Sequence, residues 1–339
     1  MGDTSAMYQW IYDIVFHATS LVLAFLRRDS WLYWPFMVST VVIGYLAWRY
    51  TRRYEGGTAG AWSEFRRRYL GRALWWHPSA RADYRYYFLN GVLFPLLVVP
   101  FLLSEHSVAQ HLDAWLAPLP GAPVAAGAEA SILAKAVFTL VFFVAYDGGR
   151  FLAHTLLHDV DALWYFHKVH HSAEVLTPFT TFRVHPVDLA VMIAVPAVTT
   201  GVTTWVFHRY VDPGITAYTF LGVHVILWVS NLVGNLRHWQ VWLSYGPRFN
   251  RWLISPAHHQ LHHSAAQEHW GCNRGFELAI WDRLYGTLVV PPAKPLPLVF
   301  GLGDGSEARW HRVGAMYALP FADLLRRLVR PLSGKRATP

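Results

Sequence analysis

Polar and apolar positions along this chain come in long blocks rather than at a short period. Five runs approach the roughly 20 apolar residues that a helix needs to cross a hydrocarbon core: Trp31–Tyr50, Tyr87–Ser104, Ser131–Ala153, Leu189–Phe207 and Ile215–Val233. A softer run, Ile11–Leu26, carries Asp13 and His17 and is followed by Arg27 and Arg28. It reads as an interfacial helix or as the first arm of a short hairpin with Trp31–Tyr50. The pattern predicts an all-α integral membrane bundle of four to six membrane helices.

Charge placement orients that bundle. The stretch Thr51–Tyr86 holds eight arginines, whereas Glu105–Ala130 holds no lysine or arginine. By the positive-inside rule the first faces the cytoplasm and the second faces away. Alternation then returns the end of Ser131–Ala153 to the cytoplasm. The C-terminal third, with Arg326, Arg327, Arg330 and Arg336, is placed there too. Composition agrees: 54% of residues are hydrophobic, 16% aromatic and 15% charged, against about 25% charged in a soluble domain. Disorder and coiled coil are excluded, and the single Cys272 excludes a disulfide framework and a thiolate-only metal site. The net charge of +8 reads as an orientation signal plus attraction to anionic headgroups, with no nucleic-acid partner.

Histidine changes the picture. Of 19 in the chain, 14 lie between His154 and His269. Three patterns concentrate them: His154 with His158; His167, His170 and His171; and His259, His262 and His263. On a helix an i,i+4 pair shares one face, and residues at i, i+3 and i+4 cover an arc of roughly 100°. Each triplet can therefore converge on one point. So many imidazoles are costly as core filler, because each ring has a donor and an acceptor to satisfy. Protonated, the cluster would repel itself. Metal coordination answers both problems with neutral lone pairs. Eight or more nitrogens exceed one tetrahedral zinc and suit two ions with four or five each. Imidazole alone does not choose among zinc, copper, iron and nickel. A site at a membrane surface favours redox chemistry on a lipid over hydrolysis.

These motifs and the words around them resemble the fatty acid hydroxylase / sterol desaturase superfamily of integral membrane di-iron oxygenases. The resemblance covers about 147–291 and rests on the order HxxxH, HxxHH, HxxHH. Accompanying it are Asp147 before the first motif, Phe166–Ser172, Phe182–Pro186, Pro256–Ser264 and Trp281–Thr287. His238 occupies the place of a further family histidine. The resemblance implies two iron ions, molecular oxygen as co-substrate, and hydroxylation or desaturation of a membrane lipid or sterol-like substrate, with hydroxylation preferred. It also implies a separate electron donor protein, cytochrome b5-like or ferredoxin-like, because no cytochrome b5 domain is expected in this chain. The implied ligands are His154, His158, His167, His170, His171, His238, His259, His262 and His263, held in a cytoplasmic helical cap. No catalytic group beyond them is nominated. One departure is Thr155, where many relatives carry a basic residue; Arg150, one turn earlier, is placed to supply that charge.

Metal-bound histidines pass their other ring nitrogen to a carboxylate, carbonyl or water, and Asp147 and Asp282 are the candidates for that role. Asp147 is two turns from His154, so its alternative is an i,i+3 pair with Arg150. His185, extended before Pro186, resembles a family position near the site. His258 is not a motif histidine, and in the other triplet its place is taken by Phe166, which binds no ion. Cys272 reads as a small loop residue rather than a thiolate ligand. Organisation follows: 1–130, membrane and interfacial helices with the basic loop; 131–291, the histidine-bearing catalytic domain; 292–339, a cytoplasmic tail. Two rival classes stand beside this reading: a membrane cytochrome with bis-His haem, for which His224 is the only histidine deep enough in a span, and a histidine-rich membrane metal-binding or transport protein without oxygenase activity. The latter would spread ligands along a path across the bilayer instead of gathering them on one side.

Overall fold

The computed structural model describes residues 4–52, 61–117 and 130–329. Arg330, Arg336 and the Gly121–Gly127 stretch of the outer connection lie outside the described residues. The chain opens with α1 (Thr4–Val22), α2 (Trp34–Thr51), the amphipathic α3 (Ala61–Tyr69) and the single turn α4 (Arg72–Trp75). Then come α5 (Pro78–Leu97), α6 (Glu105–Trp115), α7 (Ile132–Asp159), α8 (Asp161–His171) and α9 (Pro186–Tyr210). The last third carries α10 (Val225–Gly234), α11 (Gly246–Phe249), α12 (Pro256–His262), α13 (Ile280–Tyr285) and α14 (Val313–Val329). Among the described residues the fold is all-α apart from a short β-hairpin, Thr219–Phe220 with Val223–His224.

Among the described residues three helical segments are long and apolar enough to cross a membrane: Pro78–Trp115, Ile132–Asp159 and Pro186–Tyr210. The run Trp31–Tyr50 yields the 18-residue α2, which is not among them, and two further differences from the hydropathy pattern have local causes. The run Ile215–Val233 is not one helix. Leu221 and Gly222 both adopt positive φ (51° and 82°) and turn the chain into the hairpin, so only the 10 residues of α10 remain helical, about 15 Å of rise. The start of the Glu105–Ala130 loop is helical instead of open. Ser104 and Ser107 close a capping box, and α6 then packs against α9. Gly201 permits that approach, since a Cβ there would meet Val108 Cβ at 2.6 Å.

The longest helix, α7, lies against α9. Gly149 is the contact point: a Cβ would come within 2.8 Å of Pro196 Cα. Asp147, on the same helix, accepts the backbone N–H groups of Glu277 and Leu278 at 3.0 Å each and the Trp281 indole at 2.9 Å. It ties the 275–281 loop to α7 and pairs with neither Arg150 nor an imidazole. Arg150 instead stacks over Phe276 at 3.7 Å and lies 3.8 Å from Glu277.

A second junction joins α5, α8 and the segment before α14. Arg183, fully buried, donates to Asp83 Oδ1 at 2.8 Å, to Ser172 Oγ at 2.9 Å and to the Trp310 carbonyl at 3.1 Å. A buried guanidinium with this many acceptors is satisfied, whereas removal of one partner would leave a buried charge. Around it pack Ala82, Tyr86, Val169, Trp310 and Met316. On the other side Trp48, Phe65, Tyr69, Leu236 and Trp239 fix α2 and α3 against the 3-10 turn Asn235–His238.

Candidate metal centre

Each histidine arrives on an element whose ends the local sequence determines. The last turns of α7 carry His154 and His158. At Val160 the chain leaves helical geometry (φ −95°, ψ 107°) and Asp161 opens α8, which delivers His167, His170 and His171. Ser255 and His258 form the capping box that starts α12, with Pro256 in its first turn. That helix presents His259, His262 and, at its C-cap, His263. Gln260, on the opposite side, donates to the carbonyls of Leu236, Trp239 and Val241 at 3.2, 2.7 and 2.9 Å. This clamp seats the turn that bears His238.

Nine imidazoles meet in two buried groups: His154, His158, His167, His171 and His262 in one, and His170, His238, His259 and His263 in the other. Within each group the facing nitrogens all lie within 4.8 Å of one another. The groups adjoin, with the rings of His171 and His263 stacked 4.7 Å apart. The inward atoms are Nε2. His154 and His167 approach to 3.1 Å, His158 and His262 to 3.3 Å, His170 and His238 to 3.1 Å, and His238 and His259 to 2.9 Å.

The outward nitrogens say which tautomer is present. Nδ1 of His154 lies 2.8 Å from the Arg274 carbonyl, that of His262 2.7 Å from the Cys272 carbonyl, and that of His167 2.8 Å from Asp188 Oδ2. A carbonyl or carboxylate only accepts, so these Nδ1 atoms carry the protons and the Nε2 atoms are bare. His154 and His167 therefore aim two lone pairs at each other across 3.1 Å with no proton between. Only a cation at that point makes the arrangement favourable. Burial, and then the neighbouring rings, hold His170, His171, His259 and His263 far below the ordinary imidazole range. Burial brings His238 and His262 down to about 3. At neutral pH these rings are donors of lone pairs, and each group can hold a metal ion.

The residues singled out as partners of the imidazoles go elsewhere. Besides Asp147, Asp282 accepts the backbone N–H groups of Arg274 and Gly275 at 2.7 Å each. It thus holds the segment whose carbonyl receives His154 without touching the ring. His185 Nδ1 accepts from the Val187 backbone N–H at 3.1 Å, and its ring packs on Phe166 and Phe321. His258 turns away from both groups: its Nδ1 accepts from the Ser255 backbone N–H and its Nε2 donates to the Asn250 carbonyl, each at 3.0 Å. Cys272 contributes its carbonyl and not its sulfur.

Two partners escape a reading of the motifs. Asp188, in the first turn of α9, meets His167; Thr181 Oγ1 lies 2.8 Å from His238 Nδ1. A lone carboxylate opening an apolar helix is the signal that marks Asp188, because ionisable groups at such positions are rarely idle. Thr181 has no comparable signal.

The histidine-bearing part of the chain is similar to known proteins. Residues 139–287 match the fatty acid hydroxylase family. The chain is 32% identical over 154 residues to an ornithine lipid hydroxylase of Rhizobium tropici, covering 44% of this chain and 41% of that protein. It is 27% identical over 164 residues to the alkylglycerol monooxygenase of Homo sapiens, covering 47% and 32%. It is 30% identical over 156 residues to a Δ7-sterol 5(6)-desaturase of Gibberella zeae, covering 46% and 43%. The chain thus spans less than half the length of each of these three relatives. No solved structure matches it significantly.

Proposed function

For a chain homologous to members of the fatty acid hydroxylase / sterol desaturase family, with two adjoining imidazole clusters, we propose a membrane-bound di-iron oxygenase. It acts with molecular oxygen on a lipid or sterol-like substrate, hydroxylating it in preference to desaturating it. The observation that carries this reading is the gathering of nine inward-turned imidazoles in a group of five and a group of four, with bare Nε2 atoms at His154, His167 and His262. His154, His158, His167, His171 and His262 hold one iron, and His170, His238, His259 and His263 the other. Two irons in these positions supply, with oxygen and electrons from a separate cytochrome b5-like or ferredoxin-like protein, the power to break an unactivated C–H bond.

The chain's own part is to hold and orient. Asp188 and the carbonyls of Arg274 and Cys272 fix the ring planes of three ligands, as outer partners of metal-bound histidines do. Asp147 and Asp282 hold the loop that carries two of those carbonyls. The catalytic unit is 131–291, preceded by the membrane and interfacial helices of 1–130 and followed by the tail, 292–339. We place the metal site and the C-terminus in the cytoplasm, on the side of the basic Thr51–Tyr86 stretch. The 28 residues of α7 rise about 42 Å, some 12 Å beyond a typical hydrocarbon core, so its histidine-bearing end reaches past the bilayer. Five membrane helices follow if α1 and α2 insert beside the three long segments, four if only one of them does, and six if the 215–233 segment counts as a further crossing.

Metal analysis of detergent-purified protein, with lipid profiling of cells that express it, tests the reading. About two iron-class ions per chain and an oxygenated or desaturated lipid are expected, and His170→Ala or His262→Ala lowers both. Full product formation in either variant, or a metal-loaded parent that alters no lipid, would overturn it.

A further inference from the structure

A cavity of about 230 Å³ lies against the five-histidine cluster, and His158, His171 and His262 contribute to its lining. Its walls are aromatic. The Trp164 ring lies 5.3 Å from that of His158 and 5.5 Å from that of His171, and Tyr165 and Trp270 add further surface. The charged groups that line it are Asp161, Asp304 and Lys168. Lys168 is already committed, donating to Asp323 Oδ2 at 2.7 Å. Asp304 accepts only the Ser306 backbone N–H, at 2.9 Å, and Asp161 stands exposed in the first turn of α8. Among the described residues neither carboxylate forms an ion pair.

The lining is therefore acidic in a chain whose net charge is +8. Aromatic faces and free carboxylates both attract a cation. A phosphate or carboxylate would meet two like charges and a lysine neutralised by its neighbour. We propose that this cavity is the substrate's headgroup port and that it takes a lipid whose polar end carries an ammonium group, selected by Asp161 and Asp304. Resting on the metal-centre reading above, the assignment follows from the cavity's position against three of the clustered histidines: whatever enters it comes to the edge of the five-histidine group.

The test is a binding titration on the full-length, metal-loaded protein in neutral detergent. Dodecylamine, dodecanol and dodecyl phosphate are the probes, sharing one chain and differing in headgroup charge, and tryptophan fluorescence is the readout. Dodecylamine is expected to bind about tenfold more tightly than dodecanol, and dodecyl phosphate more weakly than either. The double variant Asp161→Asn/Asp304→Asn should bring the amine and the alcohol within about twofold of each other. Trp164→Phe should remove much of the fluorescence change, which ties the signal to this cavity. Equal affinity for the three probes, or an amine preference that survives the double substitution, would overturn the proposal. Metal content on the same samples judges the underlying reading separately. A parent that binds no iron-class ion defeats that reading, whereas the headgroup preference alone decides the port.

Discussion

Asp188→Asn replaces one oxygen of a buried carboxylate by an amide and leaves its volume unchanged. Asp188 is 1% exposed, and its Oδ2 lies 2.8 Å from His167 Nδ1. Oδ1 has no partner among the described residues. The negative charge is thus poorly compensated by protein alone and is favoured mainly when a cation sits beyond His167. A hydrogen bond to a charged acceptor is worth about 1.5–3 kcal/mol, and one between neutral groups about 0.5–1.5. Loss of the charge should cost the five-histidine site about 1.4 kcal/mol, or tenfold in metal affinity, the lower end of the range for outer partners of metal ligands. Stability of the metal-free protein should behave differently. The variant loses a favourable interaction with the N-terminus of α9, about 0.3–1 kcal/mol, and gains by no longer burying a charge with one partner. The two nearly cancel, so its unfolding free energy should stay within about 1 kcal/mol of the parent. Competition against a chromophoric chelator gives the affinity, and thermal melts of chelator-stripped protein give the stability. Unchanged affinity, or a stability loss as large as the affinity loss, would refute the argument, since either would make Asp188 a packing residue.

His258→Ala should retain two ions per chain while costing roughly 2–4 kcal/mol of stability, because it removes a fully buried ring with hydrogen bonds at both nitrogens; His259→Ala should lose metal instead, and metal analysis with melting curves separates the two. Burial, followed by the nearby Asp282, pushes the Cys272 thiol up to about 12, so at pH 8 only about one molecule in 10⁴ carries the thiolate. Alkylation of native protein should be very slow at pH 8 and rise about tenfold per pH unit toward 12, while denatured protein reacts at once; rapid native labelling would contradict the buried placement. A reporter inserted within Glu105–Ala130 should read as non-cytoplasmic and one at the C-terminus as cytoplasmic; the same side for both would remove the proposed orientation.

How much of this can be read from sequence depends on how far apart the interacting residues lie. The i,i+4 pairs are readable because a helix brings them together by itself, as α8 does for His167 and His171 and α12 for His259 and His263, but neither triplet converges on one point, since His170 and His262 each go to the other group. The division of nine histidines into five and four is not readable, because it depends on how α7, α8 and α12 cross. Asp147 reads as a partner for a ring, but the N–H groups that donate to it lie 130 and 131 residues away in a loop with no signature of its own. Ile215–Val233 is apolar enough to resemble a span, yet two adjacent residues of positive φ decide its shape. Hydropathy averaged over a window does not register such a turn.

Main-chain acceptors on the outer side of the centre have a consequence for variation. The carbonyls of Arg274 and Cys272 receive the Nδ1 protons of His154 and His262, and a side-chain replacement leaves a carbonyl where it was. An alanine scan would thus miss both acceptor atoms as such; drift at Cys272 leaves its carbonyl in place, whereas the Arg274 side chain is itself held by Asp159 and the Gly271 carbonyl. What such drift cannot touch freely is the carboxylate of Asp282, which pins the Arg274 and Gly275 amides. Selection for the centre's geometry should accordingly fall also on residues that touch no histidine, where it would look like selection for loop shape.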